Sequence, residues 1–141
     1  MVESPSSVDM FGSIPLFRGL EKDELMAIAK LSKEITFREG EAIVKTGEAG
    51  LGFYIIVDGQ AVVKRKNKTV ATLQRGSFFG EMALLDDQPR SADVVATEPT
   101  KCLVLLRWNF WSLVSKNKNV VRGLFKEMAR RLRATNEAMG E

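Results

Sequence analysis

Between Glu34 and Arg107 the apolar residues of this chain fall into short runs separated by glycines, and that pattern limits the fold more than any other feature. A helix needs apolar residues every three or four positions over several turns. Here Ile35, Phe37, Ala42-Ile-Val44, Phe53-Tyr-Ile-Ile-Val57, Ala61-Val-Val63, Thr69 to Leu73, Ala92 to Ala96 and Cys102 to Leu106 alternate or run continuously instead. Gly40, Gly47, Gly50, Gly52, Gly59 and Gly76 mark the turns between them. Short strands with glycine turns argue for an antiparallel sandwich, barrel or roll. Asp58-Gly59 reads as a tight hairpin turn. Lys64-Arg-Lys-Asn-Lys68 reads as a solvated hairpin tip in preference to a patch for phosphate backbones.

The stretch from Ser77 to Val95 interrupts this regularity. Glu81 and Arg90 are opposite charges set beside apolar residues, and burying either without a partner is costly. Gly80 precedes a helix-prone run, Glu81-Met-Ala-Leu-Leu85, whose first amides can face an anion with no side chain at position 80 in the way. Pro89 stiffens the approach to Arg90, whose planar guanidinium can make two parallel hydrogen bonds to phosphate oxygens, and Ser91 adds a hydroxyl. A carboxylate repels phosphate, so Glu81 makes sense as an acceptor for a sugar hydroxyl of the same ligand. Phosphate and ribose in one place mean a nucleotide.

Phe79-Gly-Glu-Met-Ala-Leu-Leu85 followed by Pro89-Arg-Ser-Ala92 resembles the phosphate-binding cassette of the cyclic nucleotide-binding domain family. The resemblance implies a mainly β fold with flanking helices: an antiparallel β-roll or jelly roll (double-stranded β-helix) with a short N-terminal helix, an internal cassette helix and a long C-terminal helix. By the same resemblance Glu81 holds the ribose 2′-hydroxyl and Arg90 the cyclic phosphate. Gly80 and Ala83 offer backbone amides, and Ser91 lies against the phosphate or the base. Met82 and Ala92 complete the cassette positions, and Val63 and Val70 correspond to pocket-lining residues, although core packing accounts for those two valines equally well.

Met1 to Asp9 carries Ser and Pro with little to bury and is expected to be a flexible lead, extending to about residue 12. Ile14-Pro-Leu-Phe-Arg-Gly-Leu20 is apolar but broken by Pro15 and Gly19, which suggests a 3₁₀ or irregular segment. Glu21 to Ser32 has helical spacing at Leu25, Ile28, Ala29 and Leu31 with acids in its first turn. Trp108 to Val114 reads as one or two helical turns, and Asn117 to Met139 as a longer helix with Val121, Leu124, Met128, Leu132, Thr135 and Met139 on one stripe. Lys118, Arg122, Lys126, Arg130 and Arg133 occupy the other face. Such a stripe docks on its own roll or pairs with its copy in a second chain. Glu127 to Gly140 is similar to the dimerisation helix of the family's bacterial catabolite activators, where a Thr-Ser pair reaches adenine. Thr135 and Asn136 occupy those places, Asn136 departing from the serine. The expected layout is a lead over 1–12, the nucleotide-binding roll over 13–115 with its cassette at 77–92, and the C-terminal helix over 116–141.

Composition narrows the chemistry. There is no histidine, and the one cysteine, Cys102, sits in an apolar run, so metal-site and acid-base chemistry would have to rest on carboxylates alone. A net charge of +3 is too mild to demand nucleic acid. No apolar run approaches membrane-spanning length, no signal-peptide pattern is present, and a cytoplasmic location is expected. The chain ends at Glu141, where catabolite activators continue into a DNA-binding region, and carries no kinase-inhibitor or channel segment. The expectation is therefore a stand-alone, non-enzymatic receptor with no cofactor. It would bind cyclic AMP in preference to cyclic GMP, form a homodimer through the terminal helix, and signal to an unidentified protein through movement of the cassette and that helix. The alternative is a ligand-independent β-roll module that dimerises or docks on a separate partner.

Overall fold

A computed structural model describes residues 7–86 and 88–140. They divide into a β unit, Leu31–Phe110, and a helical unit made from the segments before and after it.

The β unit holds eight strands: β1 (Lys33–Phe37), β2 (Ala42–Val44), β3 (Gly52–Asp58), β4 (Gln60–Arg65), β5 (Lys68–Gln74), β6 (Phe78–Phe79), β7 (Asp93–Ala96) and β8 (Thr100–Leu106). They form two four-stranded antiparallel sheets, ordered β1-β8-β3-β6 and β2-β7-β4-β5. Ile43, Val44, Ile56, Ala61, Val94, Ala96, Cys102 and Val104 make one buried cluster, with Phe37, Tyr54, Val63, Leu73, Phe79 and Leu106 packed against it. The β-roll expected from the sequence is thus the architecture found. Cys102 behaves as a small core hydrophobe, since burial pushes its thiol up to about 12 and keeps it protonated.

Of two turns expected as hairpins, one is found and one is not. Lys66 and Asn67, with φ of 52° and 65°, join β4 to β5 as the hairpin tip foreseen in the basic run. Asp58-Gly59 is not a hairpin, because β3 and β4 lie in different sheets. It is the corner where the chain changes sheet. A Cβ at Gly59 would come within 2.6 Å of Pro99 O and Thr100 Oγ1, so the corner is packed against the β7–β8 connection.

Before the β unit, α1 (Ser7–Gly12) precedes a 3₁₀ turn (Pro15–Phe17) and α2 (Lys22–Leu31); after β8, α3 (Arg107–Lys116) runs across the boundary between the units and leads to α4 (Lys118–Ala138). The expected flexible lead needs correction over residues 7–12. These form a helix that buries Met10 and Phe11, and the Phe11 ring lies 6.1 Å from that of Phe17. Residues 1–6 of that lead lie outside the described residues. The grouping of the N-terminal helices with α4 also differs from the expected boundaries at 13 and 116. Asn117 caps α4, its side chain accepting from the amides of Asn119 and Val120.

The single stripe expected on α4 is two faces. Val120, Gly123, Leu124 and Glu127 are buried, and the helix packs on the 3₁₀ turn. Phe125, Leu132 and Met139 recur every seventh residue and are 71%, 63% and 68% exposed. Glu127 is a buried charge held by Arg130 at 2.6 Å and Arg131 at 3.3 Å. The Arg130 hydrogen bonds keep its carboxyl below the ordinary glutamate value.

Candidate functional site

The cassette is fixed at both ends by the β unit. At its start, β6 pairs with β3 at Tyr54 and Ile55. At its end, the Arg90 amide donates to Glu48 O at 2.9 Å and the Gly47 amide donates to Arg90 O at 2.8 Å, with Ala49 bridging Pro89. Thr46 donates through its amide (2.6 Å) and hydroxyl (2.8 Å) to Asp93 Oδ1 just beyond, holding the Asp93 carboxyl below its ordinary value. The segment between β2 and β3 thus grips the arginine end of the cassette.

Between these anchors, Gly80 takes the left-handed conformation, φ +84°, and caps a 3₁₀ helix, Glu81–Leu84, that buries Ala83 and Leu84. Both the dihedral and the space require glycine. A Cβ at residue 80 would overlap Arg90 Nη1 and stand 3.0 Å from Cζ and Nη2. Gly50 serves the same approach from the other side: a Cβ there would sit 2.6 Å from Ala83 Cβ and 3.6 Å from Arg90 Nε.

Arg90 is half-buried. Its Nη2 donates to Gly52 O, and its Cζ lies 5.8 Å from the centroid of the Tyr54 ring. Burial lowers its pKa from the ordinary arginine value, yet the guanidinium remains a cation at neutral pH. Burial raises the Tyr54 phenol, with Arg90 opposing, so Tyr54 is neutral there. Among the described residues, the Gly52 carbonyl and the Tyr54 ring that hold the Arg90 guanidinium are therefore both uncharged. Glu81 opens the 3₁₀ helix, half-buried, with its Oε2 atom enclosed.

Glu81 and Arg90 line one cavity of about 300 Å³, together with Gly80, Met82, Ala83 and Ser91. That volume is at the lower end for small-molecule sites. A hollow of about 460 Å³ along α4 is lined by a single helix, so its walls do not converge from separate elements. Met82 and Ser91 are exposed at the cassette cavity. Ala92 follows them, half-buried, outside the lining.

The remaining expected positions separate. Val63 packs on the core, as core packing alone would have it. Val70 is 53% exposed at the bulge where Val63 pairs Ala71 and Lys64 pairs Thr69, so it is neither core nor cavity lining. Thr135 and Asn136 belong to the last turns of α4, the first exposed and the second half-buried, and Thr135 Oγ1 donates to Arg131 O within the helix. The Ala83 amide, expected to face a phosphate, donates to Gly80 O at 3.0 Å. Tyr54, Gly50 and Gly52 escaped the sequence reading because each also makes sense as strand or turn. Only the side-by-side Phe-Tyr and Phe-Phe pairs hinted at an aromatic platform.

Known proteins share this arrangement. The profile described as cyclic nucleotide-binding domain matches residues 34–117, more than half the chain. The chain is 45% identical over 95 residues to a cGMP-dependent protein kinase of Eimeria tenella, covering 67% of this chain and 10% of that one. It is 39% identical over 113 residues to a cAMP-dependent protein kinase regulatory subunit of Mucor circinelloides f. lusitanicus, covering 77% and 26%. The chain thus spans only a tenth to about a quarter of these relatives. Among solved structures, the Thermus thermophilus catabolite activator protein superposes with a TM-score of 0.68 at 32% identity, over 90% of this chain and 62% of that one. With a β-roll, a glycine-capped cassette and a profile match spanning both, the chain belongs to the cyclic nucleotide-binding domain family.

Proposed function

We propose that this chain is a non-enzymatic receptor that holds a cyclic nucleotide in the cassette cavity and takes cyclic AMP in preference to cyclic GMP. The observation that carries the reading is the half-buried Arg90 cation, held by uncharged partners, on the wall of the cavity that Glu81 also lines. A cation fixed without neutralisation is suited to an anion, and the carboxylate beside it is suited to the ribose hydroxyls. The guanidinium takes the cyclic phosphate, Glu81 the 2′-hydroxyl, and the hydroxyl of Ser91 the phosphate or base. Likeness to a cyclic AMP receptor protein of Thermus thermophilus, 34% identical over 124 residues, favours adenine.

The response is a population shift in which the filled cassette moves its 3₁₀ helix and re-aims α4, which acts on a partner protein. The exposed seam of Phe125, Leu132 and Met139 supports pairing of α4 with a second copy. Thermal melts test the receptor reading against a ligand-independent module of the same fold. Saturating cyclic AMP, at a hundred times its dissociation constant, adds about 2.7 kcal/mol and raises Tm by about 5–10 °C. An unchanged melt at millimolar cyclic AMP and cyclic GMP favours the ligand-independent module.

A further inference from the structure

Tyr54 stands on β3 between groups supplied by the two ends of the cassette. Its ring stacks on Phe79, the residue before Gly80, with centroids 4.9 Å apart and planes within 4°. From the far end of the cassette, the Arg90 guanidinium lies over the ring, 5.8 Å from its centroid. Phe37 holds the ring from the side, at 6.5 Å and 59°. No other tyrosine occurs in the chain.

We propose that Tyr54 is the positioning residue of the site, acting through Arg90. A long arginine side chain loses rotamer freedom when one geometry is imposed on it, and two anchors hold it here. The Gly52 carbonyl takes a hydrogen from Nη2, and the Tyr54 ring face attracts the cation through its quadrupole. A carboxylate anchor would hold Arg90 as firmly, but it would compete with the ligand's phosphate for the same charge. The aromatic anchor preorganises the guanidinium and leaves its charge for the anion. The anchoring is assigned to the ring face, which Tyr54→Phe keeps.

This inference rests on the reading that Arg90 takes the nucleotide's phosphate, and two measurements separate the pair. The first needs no ligand. In NMR spectra of the free protein, ring-current shifts of the Arg90 side-chain protons persist in Tyr54→Phe and vanish in Tyr54→Leu. The second compares cyclic AMP with adenosine, which lacks the phosphate, by calorimetry and ligand-observed titration. Tyr54→Phe binds cyclic AMP within about twofold of wild type. Tyr54→Leu binds it about three- to thirty-fold more weakly, while its affinity for adenosine changes less than about twofold. If Tyr54→Leu loses its cooperative melt, Tyr54→Met takes its place in both comparisons.

Arg90 resonances that ignore the leucine substitution overturn the inference, as does an equal loss for adenosine and cyclic AMP, which a merely structural role would give. Unchanged cyclic AMP affinity in the leucine variant overturns it too. Wild-type protein that binds no cyclic nucleotide, with the ring-current shifts present, overturns the receptor reading and the proposed role in binding while leaving the contact itself in place.

Discussion

Gly80→Ala separates the fold from the site, because the same left-handed backbone strain can be introduced elsewhere as a control. Gly80 has φ +84° and Gly76 has φ +87°, and only the first has neighbours where a Cβ would go. Alanine in the left-handed region costs about 1–2 kcal/mol, so each variant should melt a few degrees below wild type. At residue 76 nothing else changes, since no atom lies within 4 Å of the new methyl. At residue 80 the methyl overlaps Arg90 Nη1 and stands 3.0 Å from Cζ and Nη2. The guanidinium is the end of a flexible side chain and can swing aside, so the clash adds little to the loss of stability. It does take the cation from its place. Losing one charge-assisted hydrogen bond to phosphate is worth about 1.5–3 kcal/mol, or about ten- to hundred-fold in affinity. Differential scanning calorimetry should therefore show two similar melts, and titration calorimetry should show near-wild-type cyclic AMP binding for Gly76→Ala and a fall of at least about tenfold for Gly80→Ala. Equal affinities in the two variants would refute the placement of Arg90 in the binding site.

Three further outcomes are expected. Leu132→Glu or Phe125→Glu puts a carboxylate on the exposed seam of α4, and sedimentation equilibrium should show a dimer for wild type and a monomer for either variant, with the melt lowered by less than about 1 kcal/mol. Glu127→Gln should cost about 1–3 kcal/mol, discounted because Arg130 is half exposed. The folded carboxyl lies below its ordinary value of 4.5, so its stabilisation is present above pH 4.5 and is lost as the pH falls through the lower folded value. Urea melts should accordingly show wild type and variant converging in acid and differing near neutrality. Ser91→Ala, read by competition titration, should weaken cyclic AMP by about two- to tenfold, the loss of one hydroxyl hydrogen bond.

Much of this was legible in the chain because the signals are local. The Lys66-Asn67 tip, the start of α4 near Asn117 and the cassette motif that carries Glu81 and Arg90 each announce themselves in contiguous sequence. What stayed hidden depends on pairings between distant segments. Asp58-Gly59 declares a turn but not that the strands beside it join different sheets. Gly50, Gly52 and Tyr54 precede Arg90 by more than thirty positions, and nothing in their neighbourhood shows that the arginine returns to them. On α4, periodicity merged two adjacent apolar faces. Leu124 is buried while Leu132 and Met139, placed on the same stripe, are exposed, a distinction that a fraction of a helical turn decides. Ser7–Gly12 is short and polar at its start, and its helix is justified only by where Met10 and Phe11 are buried.

Titration calorimetry of cyclic AMP into wild type and Arg90→Gln, side by side, tests the central claim most directly. Arg90 as the anion's partner predicts saturable heat for wild type, none for the glutamine variant up to millimolar ligand, and a cooperative melt retained by both. Equal binding in the two proteins, or no heat in either, would contradict it.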